Sequence, residues 1–225
     1  MKHTEKELLA LKEEVSQMWK LVLSQLEKAK DAFLTNDVEL AREVISREKR
    51  VNSYELKIDS DCENYIALYN PVAIDLRLVL SLFKICNTLE RIADFAEGIA
   101  RHVIEEDSCN PVPVEVKTEL QLETMFNTVI EMLTDSYMAL DSESTKLAGK
   151  ILSKDEIVDD IYFRSVEILA TAINNQTISA RCGLKTMLLI RKAERIGDRC
   201  SNIVEEIVFY IDAKVLKHNK NKVNI

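Results

Sequence analysis

The chain has 225 residues, of which 47% are hydrophobic, and its 38 acidic against 30 basic residues give a net charge of −8. A negative chain without a basic block lacks the positive charge that phosphate backbones attract, so we expect no nucleic-acid partner. The five cysteines are odd in number and form no Cys-x-x-Cys pair, which argues against a zinc ribbon or a disulfide framework.

The N-terminal segment, Met1 to Glu14, is charged and has no secretory apolar core. No stretch of the sequence approaches the roughly 20 apolar residues that span a bilayer. We therefore expect a cytoplasmic protein that reaches a membrane only through its partners.

Apolar residues spaced three and four apart predict six helices, at residues 5–33, 38–69, 72–104, 114–140, 145–173 and 179–216. With only 4 glycines and 3 prolines, few positions interrupt them. The predicted inward-facing residues of the third and sixth helices include Leu76, Leu80, Phe83, Ile92, Ile99, Val103, Leu188 and Ile203.

The chain is an internal duplication. Leu89–Asp94 reads LERIAD and returns as Ala193–Asp198, AERIGD, and an upstream block at residues 44–52 returns at 151–159. The spacing between the two blocks is longer in the first half, which predicts a longer connection around Asn70-Pro71. The Pro-rich segment Cys109–Pro113 predicts the joint between a first domain, residues 1–108, and a second, residues 114–225.

Short loops make successive helices antiparallel. We therefore predict an all-α fold of two pseudo-symmetric antiparallel three-helix bundles, with six long helices in all. The long helices leave broad faces, so a homodimer fits this layout.

Each half carries acidic pairs one helical turn apart. The pairs are Glu90 with Asp94, Glu194 with Asp198, and Asp155 with Asp159. Residues at i and i+4 share one helix face, and hard metal ions favour oxygen ligands. If neighbouring helices pack with these faces together, each half presents a candidate metal site.

The alternative is a solvated face of surface ion pairs. Arg91 and Arg195 directly follow the two glutamates, and such pairs contribute little to stability. The sequence contains no Glu-x-x-His string, no Gly-rich phosphate loop and no nucleophile elbow, so it predicts no catalytic residues and no organic cofactor.

At these residues the chain resembles the PhoU family of phosphate-signalling regulators over nearly its whole length. The resemblance is carried by Asp37–Ile45, Asp75-Leu76-Arg77, both Glu-Arg-Ile-x-x-Asp strings, Val158–Tyr162 and Ser201–Glu205. It implies a cytoplasmic negative regulator of phosphate uptake and phosphate-starvation signal transduction. The implied partners are a phosphate ABC transporter ATPase and a sensor histidine kinase.

The resemblance also implies metal clusters, of iron or of other divalent ions (Mn, Mg, Zn), on the acidic surface. By position the ligands are Glu90, Asp94, Asp155, Asp159, Glu194 and Asp198. Asn52 stands where the family often has aspartate, and Gly98 occupies the position of Asn202 in the other half. We therefore expect the first site to be weaker than the second, or empty.

Two further functions remain open from the residues alone. One is a metal-dependent enzyme or a metal-storage bundle, which would need an open coordination position and a base. The other is an accessory regulator of a different anion transporter, because a fold does not name its transporter.

Overall fold

The structure is a computed structural model that describes residues 3–106 and 112–216. In this part of the chain it consists of helices and their connections. The helices are α1 His3–Thr35, α2 Val38–Tyr69, α3 Ala73–Glu106, α4 Val114–Glu119, α5 Leu122–Asp141, α6 Ala148–Asn174 and α7 Ala180–Asp212, with a 3₁₀ turn at Thr145–Leu147. The predicted all-α fold is confirmed.

Local chemistry sets where several helices begin and end. The Asp37 carboxylate caps α2 by accepting a hydrogen bond from the Leu40 backbone N–H at 3.0 Å. Ser179 caps α7 in the same way through the N–H of Cys182 at 3.1 Å. Both side chains satisfy a donor that has no partner inside its helix. Asn70 ends α2 in the left-handed conformation, with φ of 45°, directly before Pro71.

The helices pack as two groups of three. Helices α1, α2 and α3 contact one another, as do α5, α6 and α7. The two groups meet through α1 against α5 and α3 against α7. These meeting helices are equivalents in the duplication, as an approximate twofold relation between the halves requires. The boundaries at residues 108 and 114 remain a prediction, since residues 107–111 lie outside the described ranges.

Polar contacts fix the two groups against each other. The Trp19 indole N–H donates to the Leu133 carbonyl at 3.2 Å, which joins α1 to α5. On the other contact, Arg77 Nε donates to the Tyr210 carbonyl at 3.1 Å and Lys84 Nζ lies 3.1 Å from Glu206. The apolar core is continuous between the groups, so the halves share one interior.

One predicted helix is wrong. The helix predicted at 114–140 is broken into α4 and α5 at Leu120 and Gln121, where Gln121 has a φ of 53°. The cause is a tertiary contact, because the buried Lys117 donates to the Phe33 carbonyl at 2.9 Å and to Asn36 at 3.1 Å. Holding α4 on the end of α1 changes its direction relative to α5.

Three predicted core residues are also wrong. Leu80 and Phe83 are 37% and 39% exposed, and Leu188 is 60% exposed, whereas Ile92, Ile99, Val103 and Ile203 are buried as predicted. The apolar stripes of α3 and α7 are wider than the faces that the bundle covers. These extra apolar residues therefore lie in solvent.

The predicted longer connection at Asn70-Pro71 is wrong as well. Residues 70–72 join α2 to α3, whereas the longer segment 175–179 joins α6 to α7. The additional residues of the first half extend its two helices instead. Among the described residues, the structure contains no helix with enough consecutive apolar length to cross a bilayer.

Candidate metal-binding grooves

The antiparallel pair α2 and α3 forms the first acidic groove, defined here by Glu48, Glu90, Asp94 and Glu97. Glu48 comes from α2 and the other three come from α3. The Asn87 amide, which donates to Glu55 at 3.3 Å, fixes the register of the two helices. Glu90 and Asp94 therefore share a groove with Glu48, in keeping with the prediction that acidic residues of neighbouring helices face each other in each half.

Glu48 is the most unusual side chain in this groove. Only 8% of it is exposed, and both carboxylate oxygens lie away from water without a hydrogen-bond donor. Burial, followed by the negative charges of Asp94, Glu97 and Glu90, raises the pKa of Glu48 to about 7. A buried carboxylate without a donor is costly, so the group retains its proton to higher pH.

Other carboxylates along the groove also have raised pKa values. Burial and the charge of Asp94 raise the pKa of Glu90 to about 7, against a smaller opposing effect of Arg91. Burial and Glu97 raise the pKa of Asp94. Glu55 and Asp59, further along α2, also have raised pKa values, chiefly because of burial. The first half thus concentrates negative charge in a partly dehydrated trough.

The second acidic groove lies between α6 and α7 and is defined by Asp155, Asp159, Glu194 and Asp198. The Ser201 hydroxyl of α7 donates to Asp155 Oδ2 at 2.9 Å. Gly197 brings the helices close there, since a Cβ at this position would lie 2.8 Å from Asp155 Oδ1. The missing side chain leaves space for the carboxylate.

The four predicted acids of this groove act on one another. Burial raises the pKa of Glu194, and the charges of Asp198, Asp159 and Asp155 raise it further, while Arg191 opposes them. The structure therefore brings together the predicted residues of the second half. They form one electrostatic unit across two helices.

Surface ion pairs do not account for these acids. Within residues 3–106 and 112–216, Glu48, Glu90, Asp94, Glu194 and Asp198 form no ion pair within 4.0 Å. Arg195 instead lies over the Phe95 ring, 5.2 Å from its centre, and Arg91 donates to Asn87 at 3.3 Å. The arginines that follow the two glutamates thus leave the carboxylates unpaired.

The donor set fits a hard cation. All candidate groups are carboxylates, the oxygen ligands that Mg²⁺, Mn²⁺ and iron accept, and a cation would relieve both the burial and the mutual repulsion. The orphaned oxygens of Glu48 supply two acceptors in a dry position. As they stand, no three Asp, Glu, His or Cys side chains of the described residues are gathered in a ligand cluster, so metal binding would require these side chains to move closer together.

Sequence reasoning underrated Glu48 and missed Glu97. Glu48 is the positional equivalent of Asp155, but its own i+4 neighbour is Asn52, so the paired-acid pattern does not mark it. Glu97 occupies the position of Ser201 and pairs with Arg101 at 2.6 Å. Each of the two was detectable only by superposing the repeats, not from one helix alone.

Two equivalent helical units, each with an acidic groove between its last two helices, define a class of duplicated all-α proteins. The family model for the PhoU domain matches the chain twice, over residues 15–103 and 122–207. The chain belongs to the PhoU family.

Named relatives support this assignment over most of the chain. The phosphate-specific transport system accessory protein PhoU of Escherichia coli is 35% identical over 212 residues, covering 94% of this chain and 86% of the relative. The homologue from Aquifex aeolicus is 33% identical and 96% of each chain is covered. The chain is thus related to accessory proteins of a phosphate transport system.

Solved structures have the same fold. The crystal structure of PhoU from Pseudomonas aeruginosa superposes with a TM-score of 0.88 at 27% identity, covering 93% of this chain and 99% of that one. The phosphate transport system regulatory protein PhoU from Streptococcus pneumoniae gives 0.85 at 28% identity, with 95% and 99% covered.

Proposed function

We propose that this protein is a cytoplasmic, non-enzymatic negative regulator of phosphate uptake and of phosphate-starvation signalling. It acts as a helical adaptor between a phosphate ABC transporter ATPase and a sensor histidine kinase. Membership of the PhoU family carries the proposal. Long helical faces with exposed apolar residues, among them Leu184 and Leu188 on α7, give such partners a surface to bind.

The regulatory role is tested by deleting the gene. We expect phosphate-responsive expression and phosphate uptake to remain high in phosphate-rich medium, and expression of the intact chain to restore repression. Unchanged regulation in the deletion strain would refute the role. If uptake of a different anion lost its control, the alternative regulator of another anion transporter would be favoured.

The partners are tested by affinity capture from phosphate-replete cells. We expect the transporter ATPase and the sensor kinase to be recovered with the tagged chain. A double substitution Leu184→Ser and Leu188→Ser alters exposed residues only and is expected to reduce recovery. The matched control is Leu56→Ser, a 72% exposed leucine on α2.

We also propose that the two acidic grooves bind divalent metal ions, with iron as the first candidate and Mn, Mg or Zn as others. Asp155, Asp159, Glu194 and Asp198 serve one site, and Glu90 and Asp94 with Glu48 serve the other. A cation that binds only the folded state raises its unfolding temperature. We expect such a rise on metal addition.

Single substitutions then separate the two grooves. Asp198→Ala should weaken the second site and Glu48→Gln the first, each by about tenfold or more, since losing one ligand of a metal site is costly. Asp160→Asn is the control, because Asp160 lies on α6 but pairs with Arg164 at 2.9 Å. Full metal occupancy in Asp198→Ala would refute the ligand assignment, and turnover of a phosphoester that is lost on chelation would favour a metal-dependent enzyme.

A further inference from the structure

The contact between α3 and α7 carries three cations that we call the cationic seam: Lys192, Arg195 and Arg199. They follow one another on α7 at intervals of three and four residues, so they share one face. That face is turned to α3, because Lys192 Nζ donates to the Gly98 carbonyl at 3.2 Å and Arg195 lies over the Phe95 ring at 5.2 Å.

Arg199 lacks any partner among the described residues. Its side chain is half-buried, and its Nε–H lies away from water without an acceptor. A buried donor without an acceptor is unfavourable, and the penalty is larger for a charged group. The Arg199 guanidinium therefore needs an acceptor from outside the described chain.

The absence of ion pairs here, among the described residues, contrasts with the rest of the same helix contact. Lys84 and Glu206 pair at 3.1 Å, and Lys185 lies 3.7 Å from Glu105. Between these two ion pairs, no cation of the seam forms one with a described residue. In a chain of 38 acids against 30 bases, unpaired cations in the middle of a helix contact indicate a place for an outside anion.

The duplication shows how this place arises. Arg199 occupies the position of Phe95 in the other half, and Gly98 occupies the position of Asn202. A Cβ at Gly98 would lie 2.8 Å from Lys192 Nζ, so the lysine side chain lies directly over this glycine. The antiparallel pairing of Arg195 with Phe95 and Lys192 with Gly98 puts Arg199 level with Arg91 of α3. The Arg91 side chain itself is engaged on the other side, since it donates to Asn87, whose amide bonds to Glu55 of α2, so the charge of the seam comes from α7.

We propose that the cationic seam binds a small, doubly charged oxyanion of the phosphate class. Arg199 and Arg195 donate to its oxygens, and Lys192 adds a third positive charge. Guanidinium groups donate in a planar fork that matches phosphate oxygens, and an arginine stacked on an aromatic ring keeps its N–H edges free. The inference rests on these contacts and stands whether or not the chain regulates phosphate uptake.

The test is titration of the full chain with inorganic phosphate and, separately, with ATP, at constant ionic strength set by chloride. Binding is followed by isothermal titration calorimetry. Arg199→Gln should weaken it by about tenfold to a hundredfold, as expected for losing charge-assisted hydrogen bonds. Arg199→Lys keeps the charge but loses the fork and should weaken it less. Arg42→Gln is the control, because Arg42 is exposed and pairs with Glu39 on α2.

The dependence of binding on EDTA and on Arg199 decides whether the seam binds the anion. Binding that depends on Arg199 and persists in EDTA supports the proposal, and the arm that responds tells free phosphate from a nucleotide phosphoryl group. Binding abolished by EDTA belongs to a cation on the acidic grooves and overturns it, as does equal affinity in wild type and Arg199→Gln. If that variant does not fold, Lys192→Gln provides the same comparison.

Discussion

The two acidic grooves occupy equivalent places, yet they handle negative charge differently. In the second groove, Asp155 accepts a hydrogen bond from Ser201 at 2.9 Å. In the first groove, the equivalent pair is Glu48 and Glu97, in which a second carboxylate replaces the donor. At this position the first groove therefore has an additional negative charge, where the second has a hydrogen-bond donor. Duplication has kept the helix packing and changed the electrostatics.

The difference continues along the helices. Glu55 and Asp59 extend the first groove, whereas their equivalents are Tyr162 and Val166, and Val166 is 50% exposed. The first groove is acidic over most of its length, and the second is acidic at one end and apolar at the other. The two grooves therefore present surfaces of different chemistry, one acidic along its length and the other partly apolar.

The largest expected effect comes from equivalent core positions. Ile99 and Ile203 correspond in the two repeats and both are fully buried. Replacing either with Ala should lower the free energy of unfolding by about 2–5 kcal/mol, because a cavity remains. Calorimetry would show one transition shifting for both variants if the shared core unfolds as a unit. Two separate transitions, each responding to one variant, would show independent halves. Leu188→Ala, at an exposed site, should change stability by less than about 0.5 kcal/mol.

A second prediction concerns pH. The pKa of Glu48 rises from 4.5 to about 7 in the folded metal-free protein, so between these values the folded state holds a proton that the unfolded state has lost. Its stability contribution is therefore full below pH 4.5 and is lost as pH rises towards 7. At pH 8, Glu48→Gln should stabilise the metal-free protein by about 2–3 kcal/mol, because the amide carries no charge.

Denaturant unfolding at pH 5 and pH 8 in EDTA measures this effect. Asp155→Asn is the matched variant from the second groove and should gain much less, because Ser201 already stabilises that carboxylate. Equal gains from the two variants would remove the distinction between the grooves.

The smallest expected effects come from substitutions at the equivalent positions 97 and 201, which differ between the two grooves. Ser201→Ala removes the hydrogen bond to Asp155 and should cost about 1 kcal/mol. Glu97→Ser removes one charge facing Glu48 and should shift the stability loss with rising pH to a lower range. It also breaks the Arg101 pair, which is 58% exposed on the arginine side and contributes little. An unchanged pH range would mean that Glu97 does not contribute to the raised pKa of Glu48.

Sequence patterns predicted the helices well because most are long and amphipathic and end at polar or proline turns. They failed at Gln121, where no Gly or Pro marks the break. The break follows from the buried Lys117 of α4, which is bonded to the end of α1. They also failed at Leu188, since periodicity reveals an apolar stripe but not which part of it a neighbour covers. Within the grooves, paired acids on one helix were found, and Glu48 and Glu97 required knowledge of the facing helix.

Gly197 gives the duplication a means of adjustment. Its equivalent in the first half is Ala93, so the two halves differ by a single methyl group at this point of the contact between the last two helices. Where glycine stands, the carboxylate of Asp155 fills the vacant volume. The room available to a carboxylate between the two helices is then adjustable by one carbon atom without altering any acid.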